Sequence, residues 1–171
     1  MTRKLILDLD TGIDDALAIA YALGSPEVEL IGVTATYGNV LMKDSVRNSL
    51  AVLDALGADS VPVYPGLPHS STAEDFAVLE ISAFIHGRNG LGEAETAPSG
   101  RSAATTGAVD FIIEASRRYG EELVYVPTGP LTNLAAALER DPALAGRLRV
   151  VLMGGALTVS GNVSPWAEAN I

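Results

Sequence analysis

Residues 4 to 23 read Lys4-Leu-Ile-Leu-Asp8-Leu-Asp10-Thr-Gly-Ile-Asp14-Asp15-Ala-Leu-Ala-Ile-Ala-Tyr-Ala-Leu23, a short apolar run followed by an acidic turn and an alanine-rich stretch. Leu5-Ile-Leu7 is apolar at every position, as a strand covered on both faces must be; a half-exposed strand would alternate. Beyond Gly12 the chain turns to strong helix formers with no proline or glycine until Gly24. Asp14 and Asp15 crowd the start of that helix, where the unpaired N–H groups favour negative charge.

The same unit recurs. Strand and helix alternate over Lys4–Leu9 and Asp14–Leu23, Val28–Thr34 and Lys43–Leu56, Val61–Tyr64, Thr105–Arg118, Leu123–Val126, Leu131–Arg140 and Val150–Met153. This rhythm predicts an open, doubly wound, mostly parallel α/β sheet, with Gly57 and Gly120 as helix C-caps. The stretch from Pro65 to about Ser102 breaks the rhythm and contains both histidines and His86-Gly-Arg-Asn-Gly-Leu-Gly92. A short helix is expected near Phe76–Phe84, in a connection long enough to be a functional lid or a disordered stretch.

Composition narrows the function classes. The 171 residues, 48% apolar and 19% charged, suffice for one domain with a real core. No apolar run approaches the ~18 to 20 residues that span a bilayer, so no membrane role is expected. The absence of cysteine excludes disulfides, thiolate metal sites and a cysteine nucleophile. A net charge of -10 repels a phosphate backbone, so nucleic acid is not an expected partner. Met1-Thr-Arg-Lys leads directly into the first strand without a secretory signal, and a cytoplasmic location is expected.

Ligands of such sheets bind outside the carboxyl ends of the strands. The first strand runs into Asp8 through Asp15, the second into Thr36-Tyr-Gly-Asn39, the fourth into Thr128-Gly-Pro-Leu-Thr-Asn133, and the fifth into Gly154-Gly155 and then Asn162 to Asn170. Neither GxGxxG nor a P-loop is present, which disfavours dinucleotides and nucleoside triphosphates. Asp10, Asp14 and Asp15 on one turn repel one another unless a cation lies between them. With only oxygen donors on offer the ion is hard. A site that also takes water and substrate hydroxyls suits calcium better than magnesium. Each residue also has a plainer reading. A lone Asp at a helix start is usually a cap, Asn39 a turn residue and His86 a solvated loop histidine. Thr128 can cap the helix after Pro130, Asn133 can pack locally, and Trp166 can simply be a packing residue.

Taken together, these residues resemble the inosine-uridine preferring nucleoside hydrolase family, whose first strand ends in a D-x-D-x-G-x-D-D turn. Tyr37-Gly-Asn39, His86 to Gly92, Val126-Pro-Thr-Gly-Pro-Leu-Thr-Asn133, Leu152-Met-Gly-Gly155, Gly161-Asn162 and Glu168-Ala-Asn170 resemble further family motifs, in the family's order. The resemblance implies a Rossmann-like fold and hydrolysis of the N-glycosidic bond of ribonucleosides, giving base and ribose, with a place in purine or pyrimidine salvage. Asp10, Asp15 and the Thr128 carbonyl would hold Ca2+, and Asp10 would also be the general base. Asn39 would stand beside the nucleophile. Asp14 and Asn170 would grip the ribose hydroxyls, Asn162 and Glu168 the 5' side, Met153 the sugar face, and His86 would sit on a mobile flap over the base.

Two departures from the family pattern stand out. Ala169 replaces an aromatic residue, removing a wall of the 5' pocket. Full-length members are nearly twice as long, so residues 1–171 are expected to be one α/β domain forming the N-terminal portion of a longer hydrolase domain. The absent half would carry a further calcium ligand and the leaving-group acid, and a full-length protein would be a homodimer or homotetramer. The alternatives are an inactive calcium- and ribose-binding fragment, or a subunit completed by another chain. A haloacid-dehalogenase-like phosphatase shares the Asp8-Leu-Asp10 turn, but Gly12 stands where that family has Thr or Val.

Overall fold

The structure is a computed structural model that describes residues 2–168 and 170. Ala169 and Ile171, on which the 5'-pocket and chain-length expectations bear, lie outside the described residues. The strands are β1 (Arg3–Leu9), β2 (Val28–Ala35), β3 (Val63–Pro65), β4 (Leu123–Pro127) and β5 (Arg149–Val150). The helices are α1 (Ile13–Gly24), α2 (Met42–Ala55), α3 (Glu80–His86), α4 (Ala108–Tyr119) and α5 (Thr132–Arg140). The five strands form one sheet in the order β3-β2-β1-β4-β5, every pairing parallel, as expected for the doubly wound class.

The period of two along β1 sorts its side chains between the two faces. Leu5, Leu7 and Leu9 enter one core with Ile19 and Ala22 of α1 and Leu50 and Leu53 of α2. Ile6 enters the other core with Ile112 and Ile113 of α4, Leu134 and Ala137 of α5, and Tyr125. Two apolar layers on one strand explain its unbroken apolar sequence. Each fully buried Leu or Ile contributes about 1.5–3 kcal/mol. The same alternation sends Asp8 to the α4/α5 face, where it is completely buried. At Gly32 a side chain would meet the Phe111 and Tyr64 rings at 2.9 Å, and these rings stack with centroids 3.7 Å apart. The glycine therefore admits an aromatic pair onto the sheet.

Several boundaries differ from the sequence pattern. The third strand begins at Val63 and not Val61, and α4 begins after Gly107, three residues later than expected. The short helix lies at Glu80–His86; Phe76 instead packs its ring 4.7 Å from that of Tyr37. The fifth strand shrinks to Arg149–Val150, although Val151 N and Met153 N still donate to the Tyr125 and Pro127 carbonyls. Gly57 (φ 69°) and Gly120 (φ 52°) end their helices in the left-handed region. Among the described residues no helix is long and apolar enough to cross a membrane.

Candidate active site

The strand order reverses between β1 and β4: the chain winds outward through β2 and β3, then returns to the other side of β1 as β4. At such a switch point the loops leaving the two strands diverge and open a crevice. Asp10 follows β1 there and Thr128 follows β4, and Thr128 N is bonded to the Asp8 carbonyl at 3.0 Å. Parallel pairing of Asp8 with Pro127 on one side and Thr34 on the other sets these loops level.

Asp10 and Asp15 are both buried, and each is held by main-chain or hydroxyl donors. Asn39 N donates to Asp10 Oδ2 at 2.6 Å. Gly38 (φ 150°) permits this approach, because a side chain there would run into the Asp10 carboxylate. Gly12 N donates to Asp15 Oδ2 at 2.9 Å, closing the first turn of α1, and Thr128 Oγ1 donates to Asp15 Oδ1 at 2.7 Å. Thr128 therefore reaches across to α1, and the N-cap of α5 is Leu131, with no side-chain cap. Burial pushes Asp10 up to about 6 against the opposing hydrogen bond from Asn39. Burial and the repulsion of Asp10 push Asp15 up to about 7. The described ion pairs of Lys and Arg all lie elsewhere, so no cationic side chain offsets the pair.

Asp14 behaves differently from its neighbours. Its side chain is 73% exposed and lies 3.6 Å from His86 Nδ1, which also accepts from Ile13 N at 3.3 Å. The acidic turn thus presents two buried carboxylates and one at the rim, not three around a point. Among the described residues no three His, Asp or Glu side chains form a metal-binding cluster. The remaining donors are main-chain and amide groups. Asn170 Nδ2 donates to the Thr128 carbonyl and lies 3.2 Å from Met153 Sδ, gathering Thr128, Met153 and Asn170 at one place. Asn162 is exposed beside a tight turn formed by Val163, Ser164 and Ala167, and Glu168 is half-buried. Trp166, read above as a packing residue, is 82% exposed.

Sequence reasoning passed over the polar layer beneath these residues. Asp8 Oδ1 accepts from Thr34 Oγ1 at 2.6 Å and from Asn133 Nδ2 at 2.8 Å. Asn133, read above as packing locally, also donates to the Ala35 carbonyl and accepts from Leu67 N. It ties the ends of β1, β2 and β3 to α5. Burial raises Asp8 to about 6. The available signals were an acid inside an apolar strand and an asparagine in an apolar helix. Both are residues that are seldom buried without a partner.

Residues 5–171 match the sequence profile of the inosine-uridine preferring nucleoside hydrolase. The chain is 41% identical over 170 residues to uridine nucleosidase 1 of Arabidopsis thaliana, covering 99% of this chain and 50% of that protein. It is 39% identical to a pyrimidine-specific ribonucleoside hydrolase of Escherichia coli, covering 99% of this chain and 52% of that one. Among solved structures, a purine-preferring ribonucleoside hydrolase from Gardnerella vaginalis superposes with a TM-score of 0.96 at 62% identity, over 98% of this chain and 54% of that one. A plant nucleoside hydrolase superposes with a TM-score of 0.94 at 41% identity, over 99% and 53%. The chain spans about half the length of the relatives it matches.

Proposed function

We propose, from the premise that this chain belongs to the inosine-uridine preferring nucleoside hydrolase family, that it serves the hydrolysis of the N-glycosidic bond of ribonucleosides. The observation that carries this reading is the pair of buried carboxylates, Asp10 and Asp15, at the switch point of the sheet, with Thr128 bonded through its hydroxyl to Asp15. The relatives divide between a pyrimidine-specific and a purine-preferring hydrolase, so the substrate class is the ribonucleoside and not one base.

The donor set fits a hard cation. Two carboxylates and a carbonyl are all oxygen, they carry negative charge that no Lys or Arg neutralises, and calcium accepts such a partial shell while leaving positions for water and hydroxyls. Asp10, Asp15 and the Thr128 carbonyl would hold Ca2+, which when bound supplies polarisation of a water and of the ribose diol. Asp10 is the general base. Burial has raised it to about 6, so it is still ionised at neutral pH yet more basic than an exposed Asp. It takes a proton from a water whose oxygen bonds to C1' as the C1'–N bond breaks; the base leaves with the bonding pair and takes up a proton from solvent, and Asp10 gives its proton back to solvent. Asn39, whose backbone fixes Asp10, stands beside the nucleophile. Asp14 and Asn170 hold the ribose hydroxyls, Met153 lies against the sugar, Asn162 and Glu168 take the 5' side, and His86 faces the base. Holding every hydroxyl favours the flattened, oxocarbenium-like sugar over the ground state.

The reading extends to nucleoside salvage in the cytoplasm and to a homodimer or homotetramer, with residues 1–171 as one α/β unit of the hydrolase domain. A second reading, calcium and ribose binding without turnover, draws support from the segment that follows β5, whose apolar Leu157, Val159, Val163 and Trp166 are all exposed and pack against little of this chain. Ribose release from inosine, uridine and p-nitrophenyl riboside, measured with and without millimolar calcium, tests both. Calcium-dependent release supports hydrolysis; binding of calcium and ribose without release supports the second reading; neither would refute the assignment.

A further inference from the structure

The run His86-Gly-Arg-Asn-Gly-Leu-Gly92 stood out in the sequence, and the site described above uses only its histidine. The rest of the run is a tightly built loop. Gly92 N donates to the His86 carbonyl at 2.7 Å and Gly90 N to the Gly87 carbonyl at 3.1 Å. Asn89 Oδ1 accepts from Leu91 N and Glu93 N, and its Nδ2 donates to the Ala94 carbonyl. The loop is thus internally braced, and its position on the protein depends on what grips it from outside.

Besides the bond from Ile13 N to His86 Nδ1, that grip comes from α2. Ser45, Asn48 and Ser49, at spacing i, i+3, i+4, make one buried polar stripe on this helix. Ser45 Oγ donates to the Leu9 carbonyl at 2.8 Å, and the Thr11 hydroxyl meets Ser45 Oγ at 3.1 Å and Ser49 Oγ at 2.7 Å. The stripe therefore cradles the turn between β1 and α1. Asn48 does more than its neighbours: its Nδ2 donates both to the Thr11 carbonyl at 3.2 Å and to the Asn89 carbonyl at 2.8 Å. One amide group bridges the acidic turn and the histidine loop. Gly90 (φ 84°) lies against this bridge. A side chain there would stand 2.5 Å from Val40 Cγ1, 2.8 Å from Asn48 Nδ2 and 3.2 Å from the Thr11 carbonyl. At the other end of the loop, His86 Nδ1 rests 2.6 Å from where a Gly12 side chain would begin. Two glycines, one on each partner, make the close fit possible.

We propose that Asn48 is a positioning residue that fixes where His86 stands relative to Asp14 and the rest of the acidic turn, by tying the 86–92 loop and that turn to one side-chain amide. The functional meaning of this tether rests on the hydrolase reading, which places His86 toward the nucleobase. The tether itself does not. Loss of the bridge leaves the sheet and both cores untouched and leaves the loop only the longer bonds from Arg47 Nη2 to the Asn89 carbonyl at 3.4 Å and from Ile13 N to His86 Nδ1 at 3.3 Å, so the 86–92 segment opens more often without global unfolding.

Arg88 is exposed on this loop, and trypsin cleavage after it reads out the opening in the absence of calcium and nucleoside. Asn48→Asp keeps the shape and removes the donor, and Asn48→Ala removes both. Each is expected to speed cleavage of the Arg88–Asn89 bond by roughly ten- to a hundredfold, the effect of losing one to two buried hydrogen bonds. Leu50→Ala, on the same helix but in the apolar core, is the structural control. It lowers the melting temperature yet leaves cleavage at Arg88 within about threefold of the parent protein under native conditions. Gly90→Ala presses on the same bridge from the loop side and is expected to release Arg88 as well, so the test survives if an Asn48 variant does not fold. In turnover, Asn48→Asp is expected to raise KM for nucleosides more than it lowers kcat, because it displaces a group that meets the base and not the reacting carbon. Unchanged cleavage in the Asn48 and Gly90 variants, or equal acceleration by Leu50→Ala, overturns the tether. Normal tethering with no turnover of any nucleoside would instead count against the hydrolase reading.

Discussion

Calcium and protons should compete for the same two carboxylates. Burial holds Asp10 at about 6 and Asp15 at about 7, and an ion coordinated by both must displace whatever protons they carry. At pH 8 both are largely ionised, whereas at pH 5 only about a tenth of the first and a hundredth of the second are. The apparent calcium affinity is therefore expected to fall about a thousandfold from pH 8 to pH 5. Binding should release nearly two protons per ion at pH 5 and close to none at pH 8. An exposed pair with ordinary carboxylate values would lose little over this range, so the magnitude reports burial of the pair. Calorimetric titration of calcium at pH 8, 7, 6 and 5, in buffers of different ionisation enthalpy, measures affinity and proton release together. An affinity that changes less than tenfold, together with the absence of proton release at pH 5, would show that the carboxylates holding the ion are not raised by burial, and would count against Asp10 and Asp15.

The metal-free protein should show the linked trend in stability. Asp8, Asp10 and Asp15 have folded values above the ordinary 3.8. The folded chain thus binds more protons, the penalty is full above about pH 7, and it is relieved as pH falls toward 4. The melting temperature without calcium is expected to rise from pH 8 to pH 5, and Asp8→Asn should flatten part of that rise; a melting temperature that falls over the range contradicts the sign. Asp15→Ala should weaken calcium strongly while Asp14→Ala leaves it near normal and weakens ribose, since Asp15 is buried and the Asp14 side chain is 73% exposed; equal calcium affinities remove this division. Asp10→Asn should cost ~10²- to 10⁴-fold in kcat where turnover is measured, the usual effect of losing a general base, and near-normal turnover would be decisive against its role. Asn133→Ala should destabilise by about 3 kcal/mol in chemical unfolding, because it strips partners from Asp8, Ala35 and Leu67 at once; a cost under about 1 kcal/mol would mean that the brace matters little.

The sequence by itself determined the class of fold and the edge of the sheet that bears the site. Leu5-Ile-Leu7 and Leu123-Val-Tyr-Val126 carry that information locally, because burial on both faces demands apolar residues at every position, and the helices announce themselves by composition and by their closing glycines. The acidic turn was equally legible, since Asp10, Asp14 and Asp15 are neighbours in the chain. Tertiary structure decided what each of them does. Nothing in the spacing of Asp14 and Asp15 says that one is sealed against Thr128 and the other turned out to His86. That follows from which loops the strand order and the 86–92 segment bring beside α1. Asp8, Asn48 and Asn133 were opaque for the same reason. Their partners, Thr34, Asn89 and Leu67, lie 26, 41 and 66 residues away, and a buried amide or acid acquires meaning only from the groups that satisfy it. Periodicity reports which face a residue occupies; only the assembled sheet and its loops fix what it meets there.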